Sequence, residues 1–256
     1  MLVSTWNVNN IRSRLPLLLA WLEARKPDVV ALQELKSTSE QFPRAELEAA
    51  GYGSLVVGQK TWNGVALLAR GADPVPVRTT LPGDPKDTQA RYVEAAVNGV
   101  LVASLYLPNG NPYPGPKFDY KLAWFERFIH HAAGLLRSGH PVALLGDYNV
   151  VPTDADIYPS KSWEDDALLQ DEPRAAFARL LKQGWVDAVR KTYPTQSVYT
   201  FWDYKRQRWE RNAGLRIDHI LLSKSLGKKL TSAGVDRELR GMEKPSDHAP
   251  VWAELA

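Results

Sequence analysis

The strongest constraint on the fold is a regular alternation of short strand-like runs with amphipathic helices. The runs are "LVSTWNV", "DVVALQE", "GVALLAR", "VEAAVNGVLVASLYL", "PVALLGDYNV", "RIDHILLS" and "APVWAEL". Between them, "RLPLLLAWLEARKP" repeats Leu15, Leu18, Leu19 and Leu22 at helical spacing, with Pro16 suited to a first turn and Pro27 as a stop. A second helix is expected from about Lys121 to Arg137, with Leu122, Phe125, Ile129, Ala132 and Leu136 on one face, and a third over "PRAAFARLLKQG". This rhythm predicts a layered α/β fold, and long strands joined at a tight turn such as Asn98-Gly99 make part of each sheet antiparallel. Segments 72–86 and 108–116, rich in proline and glycine, read as loops. Neither they nor any repeat or linker divides the chain, so residues 1–256 are expected to form a single domain.

The ends of these runs carry polar groups that turns do not require. "VVALQ" stops at Glu34, a poor turn former; "STWNVNN" delivers Asn7 and Asn9; "SLYLPNG" delivers Tyr106 and Asn109. "LLGDYNV" delivers Asp147 and Asn149, which on extended backbone point to one side. Asp218 lies in "RIDHIL", and Asp247-His248 directly precedes the last run. Taken singly, each is an ordinary strand terminus; six together point to one shared site. Carboxylate and amide oxygens without any cysteine suit Mg²⁺, with Mn²⁺ a plausible substitute, and Glu34 is the leading ligand. Such a set suits phosphodiester hydrolysis: a metal ion, a protonated His, a Tyr hydroxyl and Asn amides can stabilise charge on the phosphoryl group. Asp147 would orient or deprotonate water, and Asp218 would fix the tautomer of His248 and favour its protonated form.

The blocks "TWNVNNIRSRLP", "ALQELK", "GQKTWNGVALL", "ASLYLPNGNP", "LLGDYNVVPTDADIY", "YTFWDY", "GLRIDHILLS" and "KPSDHAPV" resemble, in order and spacing, those of the exonuclease III family within the endonuclease/exonuclease/phosphatase superfamily. The resemblance covers nearly the whole chain. It implies a four-layer sandwich of two packed mixed β-sheets flanked by helices, and a Mg²⁺-dependent enzyme acting on DNA at abasic sites and 3′ ends. It marks Glu34, Asn7 and Asp247 as metal-side residues and Tyr106, Asp147, Asn149, Asp218 and His248 as catalytic. Either Asp147 or His248 could take the proton. Asn109 stands where some members have glutamine, and both are amides.

The expected partner is double-stranded DNA with abasic sites or blocked 3′ ends. Phe201 and Trp202, with Leu215 and Ile217, are candidates for an abasic-sugar pocket, since a baseless sugar leaves the duplex cheaply. Lys117, Lys121, Lys205 and Arg206 are candidate DNA contacts, because cations interleaved with aromatics suit phosphate and sugar. The net charge of +3 is too small to hold the chain on nucleic acid by bulk electrostatics. Asp154 and Asp156 are the nearest further neighbours of the site in sequence. His219, alternating with Asp218, should point inward, and His130, His131 and His140 show no carboxylate partner in sequence. The acidic run "WEDDALLQDEP" lacks calcium-loop spacing and should cap a helix or face water. With no apolar window long enough to span a membrane and no secretion signal, a cytoplasmic monomer is expected. The competing readings are a superfamily phosphatase or phosphodiesterase of another substrate class, and a DNA-damage-binding protein without turnover; the intact acidic and imidazole groups oppose the latter.

Overall fold

The computed structural model describes residues 1–256. Two six-stranded mixed sheets pack face to face, with helices on both outer surfaces. The strands are β1 Leu2–Asn7, β2 Val29–Gln33, β3 Tyr52–Val57, β4 Val65–Arg70, β5 Val75–Arg78, β6 Tyr92–Val97, β7 Val100–Tyr106, β8 Val142–Asp147, β9 Val186–Asp187, β10 Asp218–Leu222, β11 Leu230–Val235 and β12 Val251–Leu255. The helices are α1 Ile11–Arg25, α2 Arg44–Ala49, α3 Pro116–Arg137, α4 Asp171–Lys182, α5 Ala188–Thr192 and α6 Lys224–Lys229. One sheet runs β11-β12-β1-β2-β4-β3, the other β5-β6-β7-β8-β10-β9. No helix is long and apolar enough to cross a membrane.

The apolar runs are continuous because both of their faces are covered. In β2, Val29 and Ala31 point between the sheets, while Val30 and Leu32 meet Leu18, Trp21 and Leu22 of α1. In β8, Ala143 and Leu145 face inward, while Val142 and Leu144 meet Trp124, Phe125 and Phe128 of α3 and Phe177 and Leu180 of α4.

Each sheet is built on the same device. A parallel pair, β1/β2 in one and β7/β8 in the other, is joined by a helix, α1 or α3, and flanked by antiparallel strands. Parallel strands place all their carboxyl ends on one edge, so Asn7, Glu34, Tyr106 and Asp147 emerge at the ends of four central strands. Just beneath, Gln33 donates to the Ser104 hydroxyl across the sheet interface at 3.1 Å and accepts from Thr5 at 3.1 Å, all three fully buried. This bond holds the two sheets in register under the site.

Three local expectations need correction. α1 starts at Ile11, where the Asn10 side chain accepts from the Ser13 amide, so Pro16 sits inside the helix on an exposed face and not in its first turn. β5 falls within 72–86; its exposure and Pro76 make it a typical edge strand, with little apolar signal to reveal it. The buried residues of α3 are Phe118, Lys121, Trp124, Phe125, Phe128, Ala132 and Leu135; Phe125 and Ala132 match the expected face, while Lys121, Phe128 and Leu135 are buried in place of Leu122, Ile129 and Leu136.

Candidate active site

The chain turns sharply at the strand ends. Glu34 and Asn149 both have left-handed backbone, with φ of 50° and 46°. That conformation costs a non-glycine residue about 1 kcal/mol, and Asn tolerates it better than Glu, so Glu34 is held there by its surroundings. The 147–149 segment is therefore no extension of β8. The Asn149 amide N–H bonds Asp147 Oδ1 at 2.9 Å in a local turn, and the two side chains reach one cavity through that turn.

Asn7 organises the centre. Its Nδ2 donates to Glu34 Oε1 and to Asp147 Oδ2, both at 2.9 Å, so one buried amide ties β1 to a carboxylate from each sheet. Its Oδ1 accepts from the Asn9 amide at 3.0 Å, so Asn7 is fixed at both ends beside Glu34 and orients the two acids. The Tyr106 hydroxyl donates to Glu34 Oε1 at 2.9 Å, and Lys36 pairs with Oε2 at 3.0 Å. Donor atoms of Glu34, Asp147 and His248 lie within 4.8 Å of one another. Asp247 lines the same cavity and accepts from Asn9 Nδ2 at 2.9 Å.

Asp218 opposes Asp147 in the β8/β10 register, and its Oδ2 lies 2.8 Å from His248 Nδ1, turning Nε2 toward Asp147 Oδ2 at 3.9 Å. Thr200 fixes Asp218 through a 2.6 Å hydrogen bond to the same oxygen. Burial opposes a charge on His248, yet the charge and hydrogen bond of Asp218, followed by Asp147 and Asp247, raise it to about 10. Burial and the charge of Asp218 push the Asp147 carboxyl well above the usual range, against the pull of His248 and the Asn7 hydrogen bond. Glu34 is half-buried, which opposes its charge, but Lys36, Asn7 and His248 together hold it below its ordinary value. Burial and the charges of Glu34 and Asp147 keep the Tyr106 phenol protonated.

These groups line a cavity of about 210 Å³ with two unlike walls. One carries Glu34, Tyr106, Asn109, Asp147, Asn149, Asp247 and His248; the other carries Trp163, Leu168, Phe201 and Ile217, with Asp166 and Asp203 at the margin. Five carboxylates and one imidazole line it, and no lysine or arginine does. An anionic substrate could enter such a space only with a cation to offset the charge, and Glu34 and Asp147 offer the hard oxygens that a divalent ion prefers. The residues therefore fit a metal ion, which would act as a Lewis acid on a phosphoryl oxygen.

Several sequence-based expectations fail here. Trp202 is buried in a cluster with Tyr199 and Ala249, its ring 5.1 Å from Trp209, because it alternates with Phe201 and so faces away. Leu215 lies behind the apolar wall without lining it. Lys121 is fully buried, its ammonium spent on backbone carbonyls, and is no surface contact for DNA. Lys117, Lys205 and Arg206 are exposed. Asp156 is buried in ion pairs with Arg190 and Arg216, and Asp154 pairs with Arg174, so neither belongs to the site. His219 is interior as expected, between Arg216 and the Val150 carbonyl, whereas His131 does have a carboxylate partner in Glu94. The sequence reading missed Trp163, Asp166 and Leu168; the signal was a lone Trp followed by leucines inside the acidic "SWEDDALL" run.

The paired sheets and the acid–imidazole cluster at their shared edge define a metal-dependent phosphohydrolase scaffold. The chain belongs to the endonuclease/exonuclease/phosphatase family, whose model matches residues 4–248. It is 36% identical to exodeoxyribonuclease III of Haemophilus influenzae, with 98% of each chain covered. Its fold superposes on an AP endonuclease from Archaeoglobus fulgidus with a TM-score of 0.95 at 34% identity, covering 100% of this chain and 99% of that one. A TM-score of 0.95 is also obtained, at 39% identity over 100% and 99% of the two chains, with the 3′ phosphatase NExo from Neisseria bound to a product DNA hairpin.

Proposed function

We propose that this protein is a Mg²⁺-dependent DNA repair phosphodiesterase, an abasic-site endonuclease that incises 5′ of the lesion and also removes nucleotides and phosphates from 3′ ends. The relatives named above carry these activities between them. The observation that carries the reading is the convergence of Glu34, Asp147 and His248 within 4.8 Å, facing an apolar wall across about 210 Å³. That volume lies below the roughly 300 Å³ at which pockets for drug-sized ligands begin, and suits a sugar phosphate without its base.

In this mechanism Glu34 would hold the metal ion, with Asn7 and Asp247 on the same side, and Tyr106 donates a hydrogen bond to Glu34. His248, already protonated through Asp218, cannot act as the base; it faces the phosphoryl group with an N–H and stabilises charge there. Asp147, whose proton affinity is raised, takes the proton from the attacking water. Asn149 and Asn109, bonded to each other at 3.1 Å, present amides to the phosphate. Phe201, Ile217, Trp163 and Leu168 receive the sugar, and Lys117, Lys205 and Arg206 contact the DNA backbone outside the cavity. The chain acts as one catalytic unit over residues 1–256 and as a monomer, in the cytoplasm.

The test is a gel of matched duplexes carrying an abasic analogue, a 3′-phosphate or no lesion. Cleavage 5′ of the analogue and loss of the 3′-phosphate are expected with Mg²⁺ and not with EDTA. No cleavage 5′ of the analogue, or turnover in EDTA, would refute the proposal.

A further inference from the structure

Lys121 sits in the buried stripe of α3, between Phe118 and Phe125, and is wholly shielded from solvent. Its ammonium donates to three backbone carbonyls, Asn109 at 3.0 Å, Asn149 at 2.6 Å and Ala167 at 2.9 Å. A Lys has three protons to donate, and here each goes to a different segment. The three segments follow β7, follow β8 and precede α4, and they carry Asn109, Asn149, Asp166 and Leu168 into the cavity. They are far apart in sequence; other bonds join them in pairs, among them the Leu107 amide to the Asp147 carbonyl at 2.9 Å, Asn149 Nδ2 to the Leu107 carbonyl at 2.9 Å and the Val151 amide to the Leu168 carbonyl at 3.0 Å, but the Lys121 ammonium bonds all three at once. Asn111 accepts from the Ala167 amide at 2.9 Å and donates to Asp166 at 2.9 Å, while Asn109 reaches Asn149. Packing closes the same point: a Cβ on Gly110 would lie 2.7 Å from Lys121 Cδ and 3.2 Å from the Ala167 Cβ. No carboxylate salt bridge anchors the ammonium, so its placement answers to the three carbonyls.

We infer that Lys121 is a positioning residue: one buried ammonium gathers three separate loops and sets the spacing between the amide side and the apolar side of the cavity. It touches neither substrate nor metal and acts through Asn109, Asn149 and the 166–168 segment. This rests on the functional reading above for its activity assay, though not for its structural one.

The chain contains no cysteine, which permits a clean replacement. The Lys121→Cys protein, unfolded in denaturant, is alkylated with 2-bromoethylamine to rebuild an ammonium at the reach of lysine, or with 1-iodopropane to place a methyl there, and is then refolded. On the 3′-phosphate duplex the aminoethyl form should recover most of the wild-type kcat, while the propyl form should lose about 10²-fold, since misplacement of about 1 Å costs that much. KM should change little, because the exposed cations are untouched. Hydrogen exchange should rise together in segments 107–111, 147–151 and 164–168 of the propyl form and nowhere else to that extent. Lys121→Gln, which keeps a shorter donor, serves if the propyl form does not refold, and should show the same pattern more weakly. Equal kcat for the two alkylated forms, or exchange raised evenly over the whole protein, would overturn the inference. Absence of wild-type cleavage would reject the functional reading alone, and the exchange pattern would still decide the role of Lys121.

Discussion

Replacing Asp218 with Asn removes one charge at the group best placed to control His248. The Oδ2 atom of Asp218 is 2.8 Å from Nδ1, and its Oδ1 is buried without a partner. His248 stands at about 10 against an ordinary 6.5, a rise of roughly 3.5, or about 5 kcal/mol in favour of the charged ring. Asp218 supplies the two largest raising contributions, its charge and its hydrogen bond, ahead of Asp147 and Asp247. Assigning it about half of the rise gives roughly 2.4 kcal/mol, so if the imidazolium stabilises the transition state, turnover should be nearly unchanged at about pH 7 and fall roughly 30-fold below the wild type near pH 10, where the variant ring has lost its proton. Nitrogen-15 NMR of the metal-free protein should find His248 protonated well beyond neutral pH in the wild type and titrating roughly 2 pH units lower in Asp218→Asn. The sign also appears in stability. A folded value raised above the unfolded one adds stability that is complete below about pH 6.5 and disappears as pH climbs through about 10, so the metal-free wild type should weaken across that window more than the variant does. A His248 that titrates near 6.5 in the wild type, or at the same pH in both proteins, would refute the reasoning.

Asp147→Asn should lower kcat by about 10²- to 10⁴-fold, the range for loss of a general base, with the dissociation constant for duplex DNA little changed in fluorescence anisotropy; turnover at the wild-type rate would remove Asp147 from the reaction. Replacing Lys205 and Arg206 together with Gln should flatten the log–log salt dependence of DNA binding by about one unit for each phosphate that is no longer neutralised, and an unaltered slope would exclude that loop from the interface. His219, lowered to about 4 by burial and by the neighbouring Arg216, should take up no proton in the fold while the unfolded chain does so near 6.5. Stability is then complete above about pH 6.5 and declines as pH falls to about 4, by up to about 3 kcal/mol; urea titrations of wild type and His219→Asn should show a shallower decline for the variant.

What could be read from the sequence was what local chemistry encodes. The central strands announce themselves because both faces are buried, and the residues at their ends stand out because Glu34 and Tyr106 have no reason to occupy turns. The edge strands β3, β5 and β11 escape notice for the converse reason: they are partly or wholly exposed and carry little apolar signal. Trp202 reads as a cavity residue because it adjoins Phe201, when adjacency on extended backbone is itself the reason that one of the pair faces away. Asp156 lies as near Asp147 in sequence as a site residue would, but its fate is decided by Arg190 and Arg216, which only the fold brings to it.

Lys121 is the instructive error. The spacing Phe118, Lys121, Phe125, Phe128, Ala132, Leu135 is a complete helical stripe, and reading it as such would have placed a lysine on the buried face. Charge argues against that assignment, because burying an ammonium is costly unless its hydrogen bonds are satisfied. Burial does push this lysine down to about 7, so the cost is real, and three carbonyls from three loops are what offset it. Those carbonyls come from segments more than ten residues apart in sequence. No local pattern can announce them, since loops lacking a ladder of their own need a donor from elsewhere in the chain. A charge found inside an otherwise apolar stripe is therefore a sign that irregular backbone lies opposite, and in this fold the irregular backbone opposite α3 is the wall of the cavity.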